Sequence, residues 1–130
     1  MPLLVDETNI FDIEVCYREE KDLIFYDELP IPGDVIKEKF TFKKPSWRDF
    51  RQMMSSSCFA HNGVMTLNPY VFMDLKIKLL LKGWTLTKDS KPLPVTSENI
   101  DSLNPSLCTY LAKKVDAFLG DEVEDVSKEM

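Results

Sequence analysis

The stretch IKEKFTFKKPSWRDFRQMM, residues 36–54, changes its hydrophobic period part-way along. Its first half alternates apolar and polar residues, with Phe40 and Phe42 on one face, which is the pattern of a half-buried strand. A proline then ends the strand, and Ser46 with Asp49 three residues later forms a variant of the capping box that starts a helix. The stretch therefore predicts a strand followed directly by a helix.

The helix that begins here is predicted to be amphipathic. Trp47, Phe50 and Met54 recur at i, i+3 and i+7, so they share one face, which we expect to lie in the core. Arg48 and Arg51 lie off that face. They belong to a locally basic band, which is either a solvated face or a partner for acidic residues within the fold or in another copy.

Towards the N-terminus, the pattern predicts more strands. Phe11, Ile13, Val15 and Tyr17 alternate with polar residues or Cys, and a second short apolar run covers residues 23–26. The first third of the chain is therefore predicted to form a small antiparallel β-sheet or hairpin.

Towards the C-terminus, cap residues predict further helices. Asn68 and Asn104 each precede a proline, and Thr96 precedes a first turn that contains Glu98, so three more helices are expected to start there. The segment SSSCFAHNG, residues 55–63, is interpreted as a helix end that frays into a loop. We also expect Gly83 to end the second helix and Gly120 the last.

The predicted fold class is thus α+β, a small N-terminal antiparallel sheet or hairpin followed by about four α-helices. Residues 1–120 are expected to form a single domain, and residues 121–130 a flexible acidic tail. The predicted core consists of Phe40, Phe42, Trp47, Phe50, Met73, Ile77, Leu80, Leu107, Leu111 and Val115.

Composition narrows the classes of function. The net charge of −6 argues against a nucleic-acid-binding protein, because phosphate contacts depend on Lys and Arg. No apolar run is long enough to span a membrane. The three cysteines contain no C-x-x-C pair, which favours reduced thiols in a cytosolic setting.

Candidate reactive groups are few. Cys58 and His61 supply half of a zinc site at best, and a local Cys–His pair lacks an orienting third group. Glu98 and Asp101 are more simply explained by the helix dipole than by acid–base chemistry. No phosphate-binding, metalloprotease or nucleophile-elbow motif occurs. We therefore expect no catalytic residue, cofactor or metal.

The segment GWTLTKDSKPLPVTSENI, residues 83–100, is built from turn residues instead. Pro92 and Pro94 make it stiff, since each proline fixes φ and restricts the residue before it. Trp84 follows a helix and is either a core residue or part of a binding surface. The segment is thus predicted to be a rigid corner between helices.

These elements resemble one protein family. The order of FTFKKPSWRDFRQM, residues 40–53, and LKIKLLLKGWTLTKDSKPLPVTSENIDSLNPSLCTYLAKKVDAFL, residues 75–119, is similar to that of tailed-bacteriophage tail assembly chaperones and baseplate-hub assembly proteins. The resemblance covers roughly residues 35–119 and rests on helix-boundary residues. It implies a protein without catalytic residues that binds another tail or baseplate protein, such as the tape-measure protein, in the host cytoplasm.

The partner surface is predicted to include Trp84, Pro92, Pro94, Arg48 and Arg51, because Trp and Arg carry much of the energy at interfaces. Two other functions stay open. The chain would be a minor structural component that is retained in the tail or baseplate, or a small phage effector that binds a host protein through its acidic ends. The sequence leaves the oligomeric state undetermined.

Overall fold

The computed structural model of the chain describes residues 3–5, 8–27 and 31–128, and from residue 120 onward it describes the backbone alone. The strands are β1 (Ile10–Glu19), β2 (Leu23–Phe25), β3 (Ile36–Lys43), β4 (Cys58–His61), β5 (Val64–Leu67), β6 (Leu81–Trp84), β7 (Thr87–Lys88) and β8 (Lys91–Pro92). The helices are α1 (Trp47–Ser57), α2 (Pro69–Leu80), α3 (Ser97–Asp101) and α4 (Pro105–Lys128).

A four-stranded antiparallel sheet of order β2-β1-β3-β6 organises the structure. Phe11 pairs with Phe42 and Ile13 pairs with Phe40, so the predicted alternation places these side chains on one buried face. The opposite face is polar, where the Thr41 hydroxyl donates to Asp12 across the strands at 2.6 Å. The two strands predicted from alternation are confirmed.

The predicted arrangement of the fold class is wrong. Strand β6 follows α2 and pairs with β3, the β4–β5 hairpin stands between α1 and α2, and β7–β8 precedes α3. Strands and helices therefore alternate in a mixed α/β structure, and the sheet is not confined to the N-terminal third. The cause is a non-local pairing: Phe40 faces Trp84 across the sheet, and no local pattern in the sequence encodes that contact.

The helix starts agree with the cap residues. Ser46 and Asp49 form a reciprocal capping box at α1, and the Asn68 side chain accepts from the backbone N–H of Tyr70 and of Val71 at α2. The end of α2 does not agree, because the helix stops at Leu80 and Gly83 lies within β6.

The predicted buried face of α1 is also wrong. Trp47 is 71% exposed and Phe50 is 43% exposed, whereas Asp49, Met53 and Ser57 are buried. Packing of α1 on α2 decides which face is buried. Asp49 can lie on that face because its carboxylate accepts from the backbone N–H of Ser46 and pairs with a lysine at the end of β3. The face that carries Asp49 therefore turns inward.

The core lies between the sheet and helices α2, α3 and α4. Leu80 and Leu111 are fully buried within it, and Phe118 on α4 stacks on Phe11 of β1 with ring centroids 4.1 Å apart. Of the predicted core, six residues are buried: Phe40, Phe42, Ile77, Leu80, Leu111 and Val115. Met73 and Leu107 are only partly buried.

Helix α4 does not end at Gly120, since its backbone stays helical to Lys128. Residues 129 and 130 of the predicted acidic tail lie outside the described residues. The flexibility of residues 121–130 stays a prediction.

Candidate protein-binding surfaces

The structure brings Trp84, Pro92 and Pro94 together. The Trp84 indole N–H donates to the carbonyl oxygen of Leu93, which lies between the two prolines, at 2.6 Å. The ring also meets Phe40 edge-on, with centroids 6.3 Å apart. Trp84 is half-buried and both prolines are exposed. The indole therefore braces the corner from inside, and the prolines form its outer surface.

A tight turn and further hydrogen bonds shape the corner. Asp89 and Ser90 both have positive φ, 53° and 63°, and form the tight turn between β7 and β8. On the other side, the Asn99 amide donates to the carbonyl oxygen of Pro94 at 2.8 Å, and Thr96 caps α3. These bonds connect the corner to β6 and α3, and its rigidity stays a prediction.

Arg48 and Arg51 lie elsewhere, on the exposed side of α1. Neither arginine makes a salt bridge or hydrogen bond with any residue that the structure describes, so nothing joins them to the corner. Next to them, the exposed rings of Trp47 and Phe50 stack with centroids 6.0 Å apart. Two aromatic rings and two cations are thus presented to solvent on one helix.

A second candidate surface was missed by the sequence reasoning. Residues 58–67 form the β4–β5 hairpin, whose two-residue turn is Asn62-Gly63 with φ of 53° and 76°. This is the type I′ geometry, and Asn-Gly between apolar residues is the strongest short-range hairpin signal. That dipeptide was therefore the signal that would have predicted the hairpin in place of a loop.

The hairpin and the start of α2 expose large apolar side chains. We call them together the hairpin surface: Phe59, Val64, Met65, Leu67, Tyr70 and Val71. The strand pairing places Phe59 and Val64 on one side of the hairpin and Met65 and Leu67 on the other, so both sides are apolar. No Asp, Glu, Lys or Arg occurs between Arg51 and Asp74, although 29% of the chain is charged. An exposed apolar region without charge, in an otherwise highly charged protein, is a candidate interaction site.

The candidate metal ligands do not converge. Cys58 and His61 both lie in β4, where alternation places residues three apart on opposite faces of the strand. Among the described residues, no three His, Cys, Asp or Glu side chains are grouped so that they could hold a metal ion. The Asp101 carboxylate is engaged in a salt bridge with Lys78 at 2.7 Å.

Two of the thiols are poorly suited to nucleophilic chemistry. Burial raises the pKa of Cys16, and the nearby Glu14 carboxylate raises it further. Burial likewise raises the pKa of Cys108 on α4. Because the thiolate is the reactive form, both groups are held in their unreactive state at neutral pH.

Comparison with protein-family models, with curated protein sequences and with solved structures finds no match for this chain. Within the ranges that the structure describes, none of the helices has both the length and the apolar character needed to cross a membrane.

Proposed function

We propose that the chain is a non-enzymatic assembly protein of phage tails or baseplates, and that it binds another tail protein through the hairpin surface. The binding role is supported by one observation, the exposed and uncharged side chains on the hairpin and the start of α2. The assignment to phage assembly is supported by the resemblance of residues 35–119 to tail assembly chaperones. The host cytoplasm is the proposed site of action.

The hairpin is incomplete as a unit of structure. It forms a sheet of its own with two strands, and all four residues of β5 are exposed. An isolated two-stranded hairpin is marginally stable in water, and stability comes from a third strand or from packing on a face. An extended, apolar segment of a partner supplies the third strand when it pairs with the free edge of β5.

Apart from its short length of four residues, the edge strand β5 lacks the usual protection against pairing. Exposed edge strands usually carry Lys, Pro or a bulge that blocks association. β5 has the sequence VMTL and pairs with β4 in regular register, so none of these devices is present. The predicted contacts at Trp84, Pro92 and Pro94 stay part of the proposal as a second area of contact. Arg48 and Arg51 lie apart from them on α1 and are not assigned to the tail protein.

The test is co-purification of the tagged chain with tail and baseplate proteins from infected cells. We expect Met65→Glu to reduce capture by about tenfold or more, because it places a charge beside Leu67 on one apolar side of β5, the strand that the partner segment would join. Ile36→Glu is the matched control, since it adds the same charge at an exposed apolar residue of β3 that belongs to neither area of contact. Equal capture by both variants, with unchanged circular dichroism, would exclude the side of the hairpin that carries Met65 and Leu67 as the binding site.

Deletion of the gene separates the assembly role from the alternatives. Loss of assembled tails is the expected result. Normal tails with poor growth on some hosts would favour the host-directed effector, and stoichiometric copies in purified particles would favour a structural component. Capture of a host enzyme in place of tail proteins would contradict the assembly role.

A further inference from the structure

A small groove lies between the sheet and the connection from α3 to α4. It has a volume of about 250 Å³, and its walls include Val15, Phe25, Phe40 and Leu107. This volume is below the roughly 300–1,000 Å³ that is usual for small-molecule sites. The groove therefore suits one large apolar or aromatic side chain better than a whole metabolite.

The mouth of this groove is acidic. Glu19 and Glu38 line the groove, and Glu20 and Asp22 line an adjoining hollow that shares Glu19 with it. Lys21 also lines that hollow, so the local balance is four carboxylates against one ammonium group. In the part of the chain that the structure describes, neither Glu19 nor Glu20 forms a salt bridge. An apolar pocket with such a rim favours an aromatic group that is flanked by cations.

The chain itself carries such a group. Trp47, Phe50, Arg48 and Arg51, which we call the α1 face, present a stacked aromatic pair beside two arginines without acidic partners among the described residues. Trp47 is the most exposed aromatic residue of this face. The α1 face and the groove are therefore complementary in both charge and polarity.

The two surfaces lie at opposite ends of the sheet. In the antiparallel pairing of β1 with β3, Glu19 and Glu38 lie towards one end of the two strands, and Lys43, from which the chain leads into α1, lies at the other. Residues 38 to 43 alone span roughly 16 Å in extended form. The α1 face and the groove of the same chain are thus separated along the sheet, so the groove is not filled by the α1 face of its own chain.

We infer that the groove receives the α1 face of a second copy of this chain, with Trp47 in the groove and Arg48 and Arg51 against the carboxylates of Glu19 and Glu20. Because different surfaces meet, the contact is heterologous, and it builds rings or open filaments. This inference goes beyond the proposed function, and it leaves the hairpin surface free for the tail protein.

Sedimentation velocity over a range of protein concentrations tests the contact. The native chain is expected to form oligomers as concentration rises. Arg48→Glu with Arg51→Glu should weaken association by at least about tenfold. Lys88→Glu with Lys91→Glu, on exposed strands β7 and β8, is the control. In both variants two positive charges become negative, so the net charge changes from −6 to −10, yet the control should still associate.

A mixing experiment then tests the pairing itself. Glu19→Lys with Glu20→Lys should fail to associate alone, as should the Arg48→Glu, Arg51→Glu variant. Mixed together, the two should associate again, because each supplies a surface that complements the other. Trp47→Ala provides a variant without a change of charge, and it should also weaken association.

A native chain that stays monomeric at all concentrations overturns the inference, as does a mixture that fails to associate or an arginine variant that behaves like the control. A monomeric chain that still captures tail proteins would leave the proposed function standing. A chain that forms oligomers but captures no tail protein would contradict the proposed function and leave the contact between copies standing.

Discussion

At the scale of single residues, Trp84 has contacts within the fold and is also a proposed contact with a partner. Its indole N–H is used inside the fold by the carbonyl oxygen of Leu93, and its ring packs on Phe40. The residue joins the sheet to the corner, so any contact with a partner uses the remaining exposed part of the ring. Loss of capture after truncation of Trp84 is therefore informative only if the fold is shown to survive.

Two substitutions of Trp84 separate these roles. Trp84→Ala removes the ring and its hydrogen bond, and should lower the free energy of unfolding by roughly 2–4 kcal/mol, less than for a fully buried tryptophan. Trp84→Phe keeps a ring in place and should cost about 1 kcal/mol through the lost hydrogen bond. Urea denaturation measures both. Equal losses in the two variants would show that the hydrogen bond, and not the ring, holds the corner.

The single histidine allows a test of metal binding. A structural zinc site normally uses four ligands, whereas Cys58 and His61 lie on opposite faces of β4. We expect far less than one zinc per chain by elemental analysis after dialysis against a weak chelator. One zinc per chain that survives this treatment and is lost in Cys58→Ser would contradict the prediction.

At the scale of elements, the sequence predicted features that depend on neighbouring residues and missed those that depend on contacts between distant segments. The capping box at Ser46 and the Asn68 cap each rely on bonds within a few residues, which the sequence displays. Strand β6 depends on pairing with β3, far away in the chain, and the pairing of Leu81 and Trp84 with β3 ends α2 before Gly83. Periodicity similarly shows that α1 has two faces, but packing decides which one is buried.

The start of α1 should also give stability a dependence on pH. Burial alone raises the pKa of the Asp49 carboxyl, but bonds from the Ser46 backbone and the Lys43 ammonium lower it below its ordinary value. A carboxyl whose pKa is lowered by folding stabilises the fold above its unfolded pKa of about 3.9, and that contribution is lost as pH falls through the folded pKa.

Asp49→Asn tests this dependence. At pH 7 the variant should be less stable by about 1 kcal/mol, the usual value of a capping interaction. The difference should shrink as pH falls below about 4, because Asp49 becomes protonated in the native chain. Thermal unfolding of both proteins between pH 2.5 and 7 measures it. A difference that stays constant over this range would show that the charge of Asp49 contributes nothing.

At the scale of the whole molecule, charge and apolar surface are distributed separately. The buried core joins the sheet to α2, α3 and α4, whereas the hairpin surface is apolar but faces solvent. Periodicity predicted six buried residues correctly. It did not show that the apolar residues of the hairpin surface face solvent. Apolar composition is the same signal in both places, so the difference is visible only once the packing is known.

Helix α2 contains both kinds of apolar residue, and one pair of variants should separate them. Leu80 is fully buried, so Leu80→Ala should lower the free energy of unfolding by roughly 2–5 kcal/mol, which includes the cavity that is left. Tyr70 is 80% exposed at the other end of the helix, so Tyr70→Ala should change stability by no more than about 0.5 kcal/mol.

Co-purification should show the opposite order. Tyr70→Ala should weaken capture of the tail protein, whereas Leu80→Ala, at a temperature where it stays folded, should not. A stability loss below about 1 kcal/mol for Leu80→Ala would mean that α2 is not central to the core. Full capture by Tyr70→Ala would remove the start of α2 from the hairpin surface and confine binding to the hairpin itself.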